Sequence, residues 1–208
     1  SVILTGERSL HFQLRRDNSI RKWFAGDQEM TPLYELYFAT LRSPSMYMEH
    51  RFLNMFQALE SYDRRTRVIS EENRQAHQGR VSRILNSVKG VKGKDRSFLK
   101  DRLKGPSEPT AKDRINYLVQ RMEADWLLKP EEVELAADFR NFLTHFDPTV
   151  EMRLARVDER SHSISDLAVR LQILCEIIFL TTLGFSSGWI RDRIEKTRRL
   201  ERRGACMR

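Results

Sequence analysis

The chain has the hydrophobic pattern of an α-helical protein over most of its 208 residues. Five segments repeat apolar residues at the three- or four-residue spacing of a helix with one buried face. They are residues 45–66, 70–88, 110–126, 130–145 and 164–183. Gly184 is predicted to cap the last of them. Residues 1–42 show no clear period, and residues 2–4 and 11–14 are candidate short strands. The pattern predicts an all-α helix bundle behind a short, extended N-terminal segment.

Three parts are expected along the chain. Residues 1–43 form an N-terminal segment, residues 44–190 form the helical domain, and residues 191–208 form a basic C-terminal helix or tail. The chain does not begin with Met, so we expect a fragment of a longer protein in which residues 1–43 are the remnant of an upstream domain. The longest stretch without a charged residue, residues 177–190, is shorter than the roughly 20 apolar residues of a membrane span, so no membrane partner is expected.

The two cysteines, Cys175 and Cys206, indicate a reducing environment. Neither lies near the other in sequence or in a CxxC motif. We therefore expect no disulfide, no metal site and a cytoplasmic location.

Basic residues are concentrated in two segments of a chain whose net charge is +8. Residues 80–104 contain nine Lys or Arg against two Asp, and residues 191–208 contain eight against three acidic residues. Such clusters favour a polyanionic partner such as RNA, and a solvated helix face is the alternative. The candidate RNA-binding residues are Lys89, Lys92, Lys94, Arg198, Arg199, Arg202 and Arg203.

The string RNFLTH, residues 140–145, contains the candidate chemistry. At 100° per residue, the apolar residues around it fall in one arc about 120° wide. They are Leu135, Ala136, Phe139, Phe142, Leu143 and Phe146. Arg140, Asn141 and His145 lie outside that arc, and we expect all three to face outward at the end of the helix.

These three residue types suit RNA cleavage without a metal ion. A His ring can exchange a proton with the ribose 2′-OH or the leaving oxygen near neutral pH. An Arg side chain can stabilise the crowded anionic phosphate, and Asn can orient the His ring or a phosphate oxygen. The 2′-OH is the nucleophile in this chemistry, so DNA cannot react. The Arg–His spacing alone is weak evidence for a site, because Arg156 and His162 have a similar spacing, six positions, in a segment with no other candidate residue. A solvated polar face is therefore the alternative for Arg140 and His145.

Three strings in order resemble one family. RNFLTHFDP resembles the R-x(4–6)-H signature of the HEPN superfamily, YMEHRFLNMFQALESYDRR resembles the leading helix of ApeA-like HEPN domains, and LQILCEIIFLTTLGF resembles their closing helix. The resemblance implies a HEPN-type bundle and a homodimeric endoribonuclease without metal or cofactor. It also implies that Arg140 and His145 are catalytic and that Asn141 assists. Glu60 is a candidate supporting residue, and an i,i+4 pair with Arg64 is its alternative role.

The resemblance further implies a prokaryotic antiphage or abortive-infection effector. ApeA-like proteins usually carry a large N-terminal domain, so we expect an upstream sensor domain outside this chain. The alternative is a non-catalytic HEPN module that binds RNA or a nucleotide, or serves as an assembly surface.

Overall fold

The computed structural model describes residues 27–68, 71–88, 90–103, 109–146, 148–154 and 163–205; of residues 27, 71–74, 153 and 198–205 only the backbone is described. Within these ranges the chain is all-α and contains no strand, in agreement with the predicted fold class. The helices are α1 (Asp27–Leu41), α2 (Met48–Thr66), α3 (Glu71–Ser87), α4 (Lys94–Arg102), α5 (Ala111–Arg121), α6 (Pro130–His145), α7 (Pro148–Leu154), α8 (Ile164–Thr182) and α9 (Ser187–Ala205). The candidate strands at residues 2–4 and 11–14 lie outside the described residues.

Helix α8 is the most apolar element and lies inside the core. Twelve of its nineteen residues are buried. The Ser163 hydroxyl accepts a hydrogen bond from the Asp166 N–H, which satisfies a free donor at the helix start. Gly184 follows the helix with φ +92°, and its N–H donates to the carbonyl of Thr181. The predicted glycine cap is therefore confirmed, since this left-handed conformation costs glycine little.

Helix α6 begins and ends at the predicted residues. Pro130 occupies the first turn, where its missing N–H costs nothing, and the Glu132 carboxylate accepts a hydrogen bond from the Lys129 N–H. The helix ends where Phe146 adopts a left-handed conformation, with φ 51°. The sequence marks the start by Pro130 and the end by Pro148, since the residue before a proline disfavours the helical conformation.

Helices α2, α6 and α8 share one hydrophobic core, as predicted. Phe52 and Leu59 of α2, Ala136 of α6 and Leu171 of α8 all lie in it. The Phe52 and Phe139 rings, 6.3 Å apart between centroids, contact each other across α2 and α6. This packing sets the relative positions of α2 and α6, which carry the candidate site.

Helix α1 was not predicted. Its buried Leu33 and Tyr37 lie in the same core, and the Tyr37 hydroxyl donates a 2.6 Å hydrogen bond to Glu176 of α8. Burial of this hydroxyl, next to the Glu176 carboxylate, raises the pKa of Tyr37 well above its usual range, so it stays a donor. The core therefore includes part of the segment 1–43, and the three-part division of the chain stays a prediction.

Three other helix assignments differ from the sequence interpretation. The helix expected over residues 110–126 ends at Arg121. It ends there because Glu123 adopts a left-handed backbone conformation and the Ala124 N–H donates a hydrogen bond to the carbonyl of Val119. Two further helices were not predicted: α4, which lies in the basic segment of residues 80–104, and α7. Both are short, and α4 buries no residue, so neither carries the apolar face that identifies a longer helix.

The chain forms two compact units. The first comprises residues 1–65 and 111–208 and contains the core described above. The second comprises residues 66–110 and contains α3 and α4, where His77 contacts the Leu103 carbonyl at 3.0 Å. No helix in the described part of the chain is both long and apolar enough to cross a membrane.

Candidate functional site

A pocket of about 550 Å³ lies between α2 and α6. Its volume is within the range of ligand-binding clefts, roughly 300–1,000 Å³. Its lining residues are Leu53, Gln57, Glu60, Ser61, Arg64, Arg140, Leu143 and Thr144. The candidate residues Arg140 and Glu60 therefore lie in one concave site.

An ion pair joins these two residues across the pocket. The Arg140 Nη2 donates to the Glu60 Oε2 at 3.2 Å, and 28% of the Arg140 side chain and 12% of the Glu60 side chain remain exposed. A half-buried charged hydrogen bond is stronger than one on the open surface, because water screens it less. The pair holds the guanidinium at one position while part of it stays accessible.

Asn141 is the second residue that holds the Arg140 side chain by a hydrogen bond. Its Oδ1 accepts a hydrogen bond from the Arg140 Nη1 at 3.1 Å. The Thr144 hydroxyl donates to the Arg140 carbonyl at 2.7 Å, so it is held against its own helix beside the pocket. Asn141 was expected to orient the His145 ring or a phosphate oxygen, and in the structure its amide oxygen contacts Arg140. Its assisting role stays a prediction.

His145 lies apart from this cluster. It is the last residue of α6, its side chain is exposed, and it does not line the pocket. It lies five positions after Arg140, an offset that corresponds to about 140° around the helix and about 7.5 Å along it. The prediction that His145 faces away from the core is confirmed, but Arg140 and His145 of one chain point in different directions.

Two aromatic residues surround His145 on the chain. The Phe142 and Phe146 rings meet edge to face with centroids 5.9 Å apart, and Phe146 is largely exposed. Phe146 was assigned to the apolar arc, yet the left-handed turn at the helix end directs it to solvent. His145 therefore lies next to an exposed aromatic side chain at the end of α6.

Glu60 forms its ion pair with Arg140 and not with Arg64, the alternative raised by the i,i+4 spacing. Arg64 lines the same pocket, together with Gln57 and Ser61. These three residues were missed as candidates. Their signal was helical spacing on one face of α2: Gln57 and Arg64 lie three and four positions from Glu60, and Ser61 lies four positions after Gln57 and three before Arg64.

The basic residues are only partly described. Lys92 and Lys94 are exposed at the start of α4, whereas Lys89 lies outside the described residues. Helix α9 carries the basic C-terminal residues, whose side chains lie outside the described part: Arg198, Arg199, Arg202 and Arg203. Their roles in RNA binding stay predictions.

No group of three or more His, Cys, Asp or Glu side chains in the described ranges is arranged to hold a metal ion. The Cys175 thiol is fully buried, and burial raises its pKa well above the usual value, so the reactive thiolate is disfavoured. The polar groups that line the pocket are guanidinium, carboxylate, amide and hydroxyl groups.

A family model described as Apea-like HEPN matches residues 53–188, which is more than half of the chain. The matched region contains the whole pocket lining as well as Asn141 and His145. No curated protein and no solved structure matches the chain significantly.

Proposed function

The chain belongs to the Apea-like HEPN family, and from this membership we propose that it is an endoribonuclease that cleaves RNA without a metal ion. The match to residues 53–188 confirms the resemblance seen in the sequence. HEPN domains are commonly ribonucleases, and they often bind RNA and dimerise. The proposal assigns that activity to this chain.

The position of Arg140 is the observation that carries the proposal. Its guanidinium lines a pocket and is held from both sides, by Glu60 and by Asn141. Among the described residues these contacts use two of its five N–H groups, so others can face a bound anion. A cation held in advance stabilises a developing phosphate charge without reorganising during the reaction.

The proposed reaction uses the ribose as its own nucleophile. The His145 ring takes the proton from the 2′-OH, and the 2′ oxygen attacks the adjacent phosphorus. Arg140 stabilises the additional negative charge on the phosphate oxygens in the transition state. The bond to the 5′ oxygen breaks, and that oxygen takes a proton from water. The products are a 2′,3′-cyclic phosphate and a 5′-hydroxyl end.

A homodimer reconciles this reaction with the directions of the two side chains. Arg140 of one chain lines the pocket and His145 does not, and their positions lie about 140° apart around α6. Two-fold pairing is the commonest assembly of identical chains and brings the same surface of each copy together. We therefore propose that each reaction centre combines Arg140 of one chain with His145 of the partner subunit.

The family also suggests a biological setting, which we propose as an antiphage or abortive-infection response in a prokaryote. An RNA-cleaving effector of this kind should lower phage yield only when its catalytic residues are intact. Plaque counts on cells that express the wild type or His145→Ala at equal levels test this setting. Equal plaque counts in both strains would argue against it.

The activity itself is tested with purified protein and a labelled RNA that contains one 2′-deoxy position. Cleavage should persist in EDTA, leave 2′,3′-cyclic phosphate ends and fail at the 2′-deoxy position, because the nucleophile is missing there. Cutting at the deoxy position, or its loss in EDTA, would contradict the mechanism. RNA binding without cleavage would instead favour the non-catalytic HEPN module.

A further inference from the structure

One face of α2 forms a wall of the pocket. Positions that recur every three or four residues lie on the same face of a helix. The α2 residues that line the pocket follow this spacing: Leu53, Gln57, Glu60, Ser61 and Arg64. The wall is apolar at its N-terminal end and polar toward Arg64.

The pocket carries an excess of positive charge, and the excess lies at Arg64. Its lining contains two guanidinium groups and one carboxylate. Glu60 is engaged by Arg140. Arg64 is exposed and has no ion pair or side-chain hydrogen bond with any residue whose side chain the structure describes. A concave site with uncompensated charge attracts an anion more strongly than a flat surface does.

The neighbours of Arg64 extend its capacity to bind an anion. Ser61 lies three positions before it and Gln57 seven, and both line the pocket. A hydroxyl and an amide donate hydrogen bonds without adding charge, and the planar guanidinium matches a phosphate with two parallel N–H groups. This combination of donors fits a phosphate diester better than an uncharged, apolar ligand.

We infer that Arg64 is a substrate-binding residue whose guanidinium, aided by Ser61 and Gln57, holds an RNA phosphate next to the one at Arg140. The inference rests on the proposed function, because it takes the pocket to be the RNA site. Arg64 would hold the same phosphate in the bound substrate and in the transition state. Such uniform binding lowers KM and leaves kcat unchanged.

A purely structural role for Arg64 is also conceivable, because cations in the last turn of a helix interact favourably with its dipole. Arg65 occupies the same turn of α2. Its Nη1 donates to the Gln28 carbonyl at 2.5 Å, and it does not line the pocket. Arg65 is therefore the matched control, because its replacement removes the same charge from the same turn.

The test measures binding of a 2′-O-methyl RNA oligonucleotide, which has no free 2′-OH and cannot be cleaved by the proposed route. Wild type, Arg64→Gln, Arg64→Lys and Arg65→Gln are compared over a series of salt concentrations. Arg64→Gln should bind severalfold more weakly, and its plot of log affinity against log salt should be shallower by about 0.7, the value for one single-strand phosphate contact. Arg64→Lys should keep the slope and bind less tightly than wild type, because it lacks the planar fork. Arg65→Gln should match the wild type.

Two outcomes would overturn the inference: an unchanged slope in Arg64→Gln, or an equal loss in Arg65→Gln. The inference is also overturned if the wild type does not bind the oligonucleotide. Melting curves check folding, and Arg64→Lys keeps the test valid if Arg64→Gln is poorly folded.

Cleavage of unmodified RNA is measured separately. There Arg64→Gln should raise KM at nearly constant kcat. A wild type that binds but does not cleave would contradict the proposed nuclease activity, while the slope comparison would still decide the role of Arg64.

Discussion

The guanidinium of Arg140 lies 3.2 Å from the carboxylate of Glu60, joining two helices whose paired residues are 80 positions apart in the chain. The pair sits at the pocket and is shielded from full solvent exposure. It aims the guanidinium, and it also offsets part of its charge. Glu60 therefore has two opposing effects on an RNA site, which can be separated by experiment.

Replacing Glu60 with Gln should lower kcat by roughly ten- to a hundredfold, since a charged hydrogen bond contributes roughly 1.5–3 kcal/mol and about 1.4 kcal/mol corresponds to tenfold in rate. RNA affinity should hold or rise, because the charge of Arg140 is no longer offset. Steady-state cleavage kinetics and binding titrations separate the two effects. Glu134→Gln, which removes an exposed carboxylate from the same α6 helix, is the control and should change neither quantity. A loss of affinity in Glu60→Gln would contradict this account.

Replacing His145 with Ala should abolish cleavage and leave the melting temperature within a few degrees, because the side chain is exposed and its removal opens no cavity. Arg140→Ala should lose on the order of a hundredfold or more in kcat, as expected for the loss of a charge that stabilises the transition state. Asn141→Ala should cost less, since Asn141 acts through Arg140. Cleavage rates and melting curves of the three variants check these values. If His145→Ala cleaves as fast as the wild type, His145 is not catalytic.

Mixing inactive Arg140→Ala with inactive His145→Ala should restore activity. In a heterodimer one reaction centre regains an intact Arg140 and an intact His145 from different chains, and random exchange of identical two-fold partners gives roughly a quarter of the wild-type rate. The mixture is co-expressed or briefly dissociated and re-formed before the assay. Each variant alone, treated in the same way, is the control. No recovery in a proven heterodimer would place both residues of a centre on one chain.

The buried ion pair between Asp63 and Arg114 should control stability and not chemistry. Both side chains are almost fully buried, at 0% and 5% exposure, and they join α2 to α5. Asp63→Asn breaks this buried ion pair, which costs about 3–5 kcal/mol of unfolding free energy. Urea unfolding measures the loss. The exposed pair of Lys112 and Glu134 is the control, and Lys112→Ala should cost less than about 1 kcal/mol. Equal unfolding midpoints for the two variants would contradict this assignment.

Most of the helical framework was predictable from the sequence because its signals are local. Pro130 begins α6, Gly184 follows α8, and the apolar spacing in both helices identifies the buried face. Helix α1 was missed although Leu33 and Tyr37 have helical spacing, because aromatic and apolar residues crowd residues 33–38 and obscure the period. The end at Arg121 was misplaced because the left-handed Glu123 is not a glycine and gives no such signal.

The sequence by itself determined which residues share a helix face and that His145 lies at an exposed helix end, because both depend on 3.6-residue periodicity and on local caps. It offered Glu60 a partner four residues away, Arg64, as readily as any distant one. Only the packing of α2 against α6 decided that the partner is Arg140 and that Arg64 remains in the pocket without an acidic partner among the described side chains. Such a contact depends on the relative position of two helices in a shared core, which no local pattern encodes.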